Sequence, residues 1–337
     1  MMPTTLETSP RASLAAKTYY PSGVPMETYD ALLASITPAP GPDRRTIFDP
    51  ATGEAVGDAP VHTVEDLQHA VDAAAAAQPA WAALGHDARS AALMKAADAV
   101  ERSAEELAQL LSREQGKPLN GPNARFEVGA CAAWLRATAA TPLDPETVVD
   151  DGETRAELHY RPIGVVGAIG PWNWPMMITV WQIAPALRMG NAVVVKPSEY
   201  TPLSVLALAS IINQELPEGL LSVVSGGRDV GEALASHDAI GKIMFTGSTA
   251  TGKAIIRSSA DTVKRLTLEL GGNDAGIVLP DSDPKAIAEG LFWGGVHQHR
   301  PDLRRPEAPV RARVPVRSRL LRACSCCCCH ADGQRSG

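Results

Sequence analysis

The sequence predicts an α/β fold, a doubly wound parallel sheet preceded by a helical region. Three observations carry the prediction. Short apolar runs rich in Val and Ile recur between residues 164 and 268, and helical patterns separate them. Runs that are apolar throughout, rather than alternating, belong to strands buried on both faces, and parallel strands require crossover helices. Upstream, residues 63–140 place apolar side chains at helical spacing, with caps and stops at the ends.

The elements follow in order. Residues 1–45 are rich in Pro, Ser and Thr with weak periodicity, and read as an N-terminal extension. Asp49-Pro50-Ala51-Thr52-Gly53-Glu54 is a turn cluster. Thr63 with Asp66 forms a capping signature, so a helix starts there and runs to about Ala83. A second helix covers about Ala88 to Arg102. Ser103 with Glu106 repeats the capping signature for a third, which stops at Gly116 with Pro118 just beyond. A fourth spans Ala124 to Ala140. Alternation over Arg155–Tyr160 predicts a half-exposed strand. Strands are then expected at Gly164–Ile169, Ala192–Val195, Leu221–Ser225, Lys242–Phe245 and Arg265–Leu268. Helices are expected at about 176–188, 202–214, 229–236 and 250–259.

Composition excludes several classes. Apolar content of 45% and charged content of 20% are globular values. A net charge of −7 argues against nucleic acid or an anionic membrane as partner. No apolar run approaches the roughly 20 residues that span a bilayer. The amino terminus lacks a secretory pattern, and Cys131 is the only Cys before residue 324, so a cytoplasmic location is expected. The character of the chain changes after Gly294-Gly295. Residues 296–337 hold nine Arg and no Lys against Asp302, Glu307 and Asp332, a net of +6, which leaves −13 for the first 295.

Ligands of doubly wound sheets bind beyond the carboxyl ends of the strands. That rule selects four loops: Pro171-Trp172-Asn173-Trp174-Pro175, Lys196-Pro197-Ser198-Glu199, Gly247-Ser248-Thr249 with Gly252 one turn on, and Glu269-Leu270-Gly271-Gly272. Each has a plain structural reading. Ser248 can be a helix N-cap, Lys196 to Glu199 a solvated loop, the two Trp core residues, and Glu269 a strand end. Their order at successive strand ends is what points to chemistry.

Taken together these loops resemble the aldehyde dehydrogenase superfamily. The resemblance covers about Asp49 to Gly294, and Glu114-Gln115-Gly116-Lys117-Pro118 matches the family's helical region as well. It implies an NAD-binding domain at 46–268, with an association hairpin at 141–160 through which subunits of the family pair. The catalytic domain would begin at 269–295, and a tail would occupy 296–337. It implies oxidation of an aldehyde to a carboxylic acid. Lys196, Ser198 and Glu199 would hold the adenosine ribose, and a carboxylate accepting both hydroxyls favours NAD over NADP. Gly247, Ser248 and Gly252 would face the pyrophosphate at a helix N-terminus. Ile169, Pro171, Trp172 and Leu270 would line the cofactor's path, and Gly226 would allow close approach of the adenine edge. Asn173 would donate to the oxyanion, and Glu269 would be the general base. Trp174, Met177 and Trp181 would line the aldehyde's path.

The expected thiol nucleophile, some 34 residues after the base in the family, is missing. His299-Arg300-Pro301-Asp302-Leu303-Arg304 stands there instead. The sequence therefore predicts an inactive chain, or an NAD-binding remnant without turnover. The run Cys324-Ser325-Cys326-Cys327-Cys328-Cys329-His330 offers soft ligands, but adjacent Cys cannot converge on one ion, and no metal is expected. The tail's composition, rich in Arg, Pro and Cys and without Lys, is what out-of-frame translation of a GC-rich gene is expected to give.

Overall fold

The computed structural model describes residues 28–36, 43–272, 277–279 and 281–296, with backbone alone for 292–296. The chain divides into two units, Met1–Gly271 and Gly272–Gly337.

In the first unit, the end of the stretch read as an extension is structured. It holds helix α1 (Tyr29–Ile36) and the antiparallel hairpin β1 (Arg44–Phe48) with β2 (Ala55–Pro60), closed by the predicted turn cluster. Helix α2 (Val64–Ala83) starts as expected. Thr63 Oγ1 accepts from the Asp66 N–H, and the Thr63 N–H donates to Asp66 Oδ2, a full capping box. Helices α3 (Gly85–Arg102), α4 (Ala104–Gln115) and α5 (Ala124–Ala140) follow.

Ser103 departs from the prediction. Its φ of −103° and ψ of 21° keep it near-helical between α3 and α4, and its side chain makes no capping bond. A capping hydroxyl reaches the third amide only from extended backbone, so the signature cannot act where two helices run on through one residue. Gly116 does stop α4. Its φ is 82°, and a Cβ there would lie 2.5 Å from Pro50 Cγ, so glycine is needed for conformation and for space.

Beyond an exposed hairpin, β3 (Glu146–Asp150) with β4 (Arg155–Leu158), the chain enters a five-stranded parallel sheet. Its elements are β5 (Val165–Ile169), α6 (Pro175–Arg188), β6 (Ala192–Lys196), α7 (Pro202–Asn213), β7 (Leu221–Val223), α8 (Arg228–Ser236), β8 (Ile240–Gly247), α9 (Thr249–Ser258) and β9 (Arg265–Leu270). The strand order is β7-β6-β5-β8-β9. Helices α2, α8 and α9 pack on one face, and α6 and α7 on the other, themselves covered by α1, α3, α4 and α5. Helix α7 is thus held between sheet and helices. Pro202 to Ile212 are all buried, which is why its apolar residues show no helical stripe. Strand β6 is buried end to end, as the continuous run Ala192–Val195 foretold.

The second unit contributes helix α10 (Pro284–Val296). The unit boundary falls at Gly271-Gly272 because β9 stays paired to β8 through Leu270, opposite Gly247. Among the described residues no helix is long and apolar enough to cross a membrane. The Cys-rich segment and residues 297–337 lie outside the described residues.

Candidate active site

Register fixes the floor of the site. Lys196, Ile169 and Phe245 align across β6, β5 and β8, and Glu269 pairs with Thr246 one step further on. The strand order reverses between β5 and β8, so the crevice of the sheet opens there. The Asn173 loop leaves from β5 on one side of it, and the Ser248 turn leaves from β8 on the other.

The Asn173 loop is held from below. Asn173 Oδ1 accepts from the Trp174 N–H at 3.0 Å, which makes the amide nitrogen the diverging, donor end of the side chain. The Asn173 carbonyl accepts from Lys117 Nζ at 2.7 Å. Glu127, fully buried on α5, takes the Met176 and Met177 N–H groups on Oε1 at 2.9 and 3.1 Å. Trp174 is buried, whereas Trp172 is 38% exposed. Pro171 and Ile169 are half-buried beside it.

On the β6 side, the Lys196 stem runs across Gly231, and its Nζ donates to the Pro197 carbonyl at 3.3 Å. Burial pulls its pKa down, against the pull of Glu199. Ser198 Oγ accepts from the Tyr200 N–H and shapes the turn. Glu199 Oε2 stands 3.5 Å from Arg45 Nη1, and a Cβ on Gly227 would lie 3.4 Å from Glu199 Oε1. Gly226 is required by packing: a Cβ would fall 2.4 Å from Val230 Cγ2 and 2.8 Å from the His62 carbonyl.

On the β8 side, Ser248 caps α9, accepting from the Thr251 N–H at 3.1 Å. The plain reading of this serine therefore holds. The Thr249 and Ala250 amides precede any intrahelical acceptor and point out of the helix start. Gly252 packs under Leu270, where a Cβ would come within 2.6 Å of the Leu270 side chain. The Gly271 N–H donates to the Gly247 carbonyl at 3.1 Å, locking the end of β9 to the turn. Glu269 is exposed on the edge strand. Its strand is two places from β5, roughly 10 Å in strand spacings.

Comparison with known proteins identifies the family. The profile of the aldehyde dehydrogenase family matches residues 37–299 of the 337. The chain belongs to the aldehyde dehydrogenase family. It is 43% identical to the phenylacetaldehyde dehydrogenase of Pseudomonas fluorescens over 256 residues, covering 72% of this chain and 51% of that one. It is likewise 43% identical to aldehyde dehydrogenase LUC3 of a Fusarium species over 246 residues, 73% of this chain and 52% of the relative. Among solved structures, an aldehyde dehydrogenase of Bacillus cereus in complex with NAD+ matches with a TM-score of 0.72 at 35% identity. That match covers 76% of this chain and 53% of the other. The chain spans about half the length of the curated relatives it matches.

Cys131 has the environment of a packed side chain. It is fully buried on α5, and burial pushes its thiol well above the usual range. A cleft of about 540 Å³ lined by His159–Ile163 and Arg265 opens at the amino ends of β5 and β9, the wrong edge of the sheet for the cofactor. Sequence reading missed Arg45, Lys117 and Glu127. Nothing local marks them, because each acts on a loop far away in the chain. Lys117 lay within a stretch noted only for its resemblance.

Proposed function

We propose that this chain binds NAD along the carboxyl edge of its sheet, and that the whole protein oxidises an aldehyde to a carboxylic acid. The observation that carries the reading is that Asn173, Glu199, Ser248 and Glu269 all fall at the carboxyl ends of strands in one sheet, on both sides of its reversal point. When bound, NAD supplies the hydride acceptor. Lys196 and Glu199 would hold its adenosine ribose, with Gly227 beside Glu199 leaving room for close approach, whereas the space at Gly226 is filled by Val230 and the His62 carbonyl. The α9 amides with Gly247 would meet the pyrophosphate.

Asn173 would donate to the carbonyl oxygen as negative charge builds on it, an interaction worth about 10²–10³ in rate. Glu269 would accept the proton of the hydrolytic water. The aldehyde's apolar portion would lie along the aromatic face shared by α5 and α6. There Phe126 meets Trp174 edge-on at 6.2 Å, and Trp134 meets Trp181 at 5.2 Å. The β3–β4 hairpin, exposed on both strands, is the surface proposed for pairing subunits.

Cys131 cannot supply the thiolate, so acyl transfer is not expected from the described residues. Calorimetric titration with NAD, beside an assay of NADH formation from short and aromatic aldehydes, tests the reading. Saturable NAD binding without turnover is expected. Failure to bind NAD would sink the cofactor assignment, and sustained turnover would show that a thiol outside the described residues serves the reaction.

A further inference from the structure

We infer that Lys117 and Glu127 form a buried clamp whose role is to position the Asn173 loop. The two side chains come from outside the loop, Lys117 from the connection after α4 and Glu127 from α5. Lys117 Nζ is 2.5 Å from Glu127 Oε2, with side-chain exposures of 9% and 0%. Each partner turns its other bonds to one five-residue stretch of main chain, 173–177. Lys117 donates to the Asn173 carbonyl at 2.7 Å and lies 3.9 Å from the centre of the Trp174 ring. Glu127 Oε1 receives the first amides of α6, from Met176 and Met177.

A buried ion pair is poor value for stability alone, since desolvating both charges offsets most of their attraction. Burial acts on both here, pulling Lys117 down and pushing Glu127 up. What the pair does provide is geometry. A single loop is gripped at residue 173 by a cation and at 176–177 by an anion, and the two grips are tied to each other. The Asn173 backbone then has one orientation, and the bond from the Trp174 N–H to Oδ1 transfers that orientation to the amide group. The Lys117 ammonium also lies over the Trp174 ring, which packs edge-on against Phe126, so the same clamp sets the aromatic wall. The role at a substrate rests on the oxyanion reading of Asn173. The clamp itself does not.

Three variants test it: Lys117→Met, Lys117→Arg, and the double variant Lys117→Met/Glu127→Gln, which removes both charges and guards against a misfolded single. Amide exchange by mass spectrometry is read on peptides covering 172–178. Loss of charge-assisted bonds should speed exchange there by ~10-fold or more in both Met variants, with peptides of β6 and α7 unchanged. Trp emission should shift in Lys117→Met, and that shift should vanish in a Trp174→Phe background. Arg should restore both signals in part. Unchanged exchange over 172–178 in both Met variants would overturn the clamp, as would acceleration spread evenly over the chain. NAD titration of the same variants separates the two readings, because the clamp touches no cofactor residue. Wild-type protein that fails to bind NAD would defeat the proposed function and leave the exchange result to judge the clamp.

Discussion

Arg45 Nη1 stands 3.5 Å from Glu199 Oε2, bringing a cation from the first hairpin to the carboxylate expected to hold the ribose. Both side chains are about 40% exposed, so the pair adds little stability. Its meaning is chemical. With Glu199 in place, a 2′-phosphate would meet a carboxylate, and Arg45 is already engaged by it. Replace Glu199 by Gln and Arg45 is left as a guanidinium beside the ribose, the geometry that accommodates a 2′-phosphate. Glu199→Gln should therefore weaken NAD and tighten NADP, moving their affinity ratio by ~10-fold or more, the scale of one charge-assisted contact. Competitive titration of both nucleotides measures it. An unchanged ratio in Glu199→Gln, or a shift that survives in Glu199→Gln/Arg45→Ala, would count against this account.

Glu114 predicts an unusual pH dependence. It is buried on α4 and receives the Leu203 and Ser204 N–H groups at the start of α7, at 2.5 and 2.9 Å. Burial outweighs those bonds and raises its pKa from 4.5 to about 7. A carboxyl raised on folding binds its proton more tightly in the folded chain. Its contribution is complete below the unfolded pKa and is lost as pH rises through the folded one. Thermal stability should decline between about pH 4.5 and pH 7, by a Glu114 share on the order of 3 kcal/mol. Glu114→Gln should flatten that slope. Parallel slopes in wild type and variant would rule Glu114 out as its source.

Much of this fold was legible because its signals are local or periodic. Thr63 with Asp66, Gly116, and the apolar run Ala192–Val195 each declare their structure within a few residues, and each behaves as read. The site was legible only in part. Asn173, Glu199, Ser248 and Glu269 lie directly after apolar runs, so strand ends point to them. Lys117, Glu127, Glu114 and Arg45 do not, since the loops they hold lie 49 or more residues away and nothing in their neighbours announces the contact. Buried charge on a helix otherwise reads as a solvated face until tertiary packing places an amide opposite it. Ser103 failed the other way. Its local capping signature was sound, but near-helical backbone between α3 and α4 overrode it.

Cys131 makes a direct prediction about thiol chemistry. Full burial and a raised pKa both deny it the thiolate form. In the native chain it should resist iodoacetamide at neutral pH and react only once denaturant opens α5. Peptide mapping of labelled protein reads this. Cys131→Ala should leave NAD affinity within ~2-fold while costing about 1–2 kcal/mol of stability, from a small cavity in the helical layer. Rapid labelling of Cys131 in folded protein would reopen it as a candidate nucleophile.

Ser248 can be tested so that its two readings part. Its hydroxyl already serves Thr251, at 3.1 Å to the amide and 2.9 Å to the side-chain oxygen. If the pyrophosphate is met by the amides at the helix start, the hydroxyl matters only through the cap. Ala at an N-cap costs about 1 kcal/mol, whereas Gly costs a few tenths, because Gly adopts cap backbone freely and leaves the end open to water. Ser248→Ala should then lower the melting temperature, and Ser248→Gly should not, while Ser248→Gly keeps NAD affinity within ~2-fold. A hydroxyl bonded directly to phosphate predicts a different pair of results. Both variants would lose NAD affinity alike, by ~10-fold or more, whatever their stabilities. Calorimetry with NAD beside thermal melts of the three proteins distinguishes a pyrophosphate held by main-chain amides from one held by the serine.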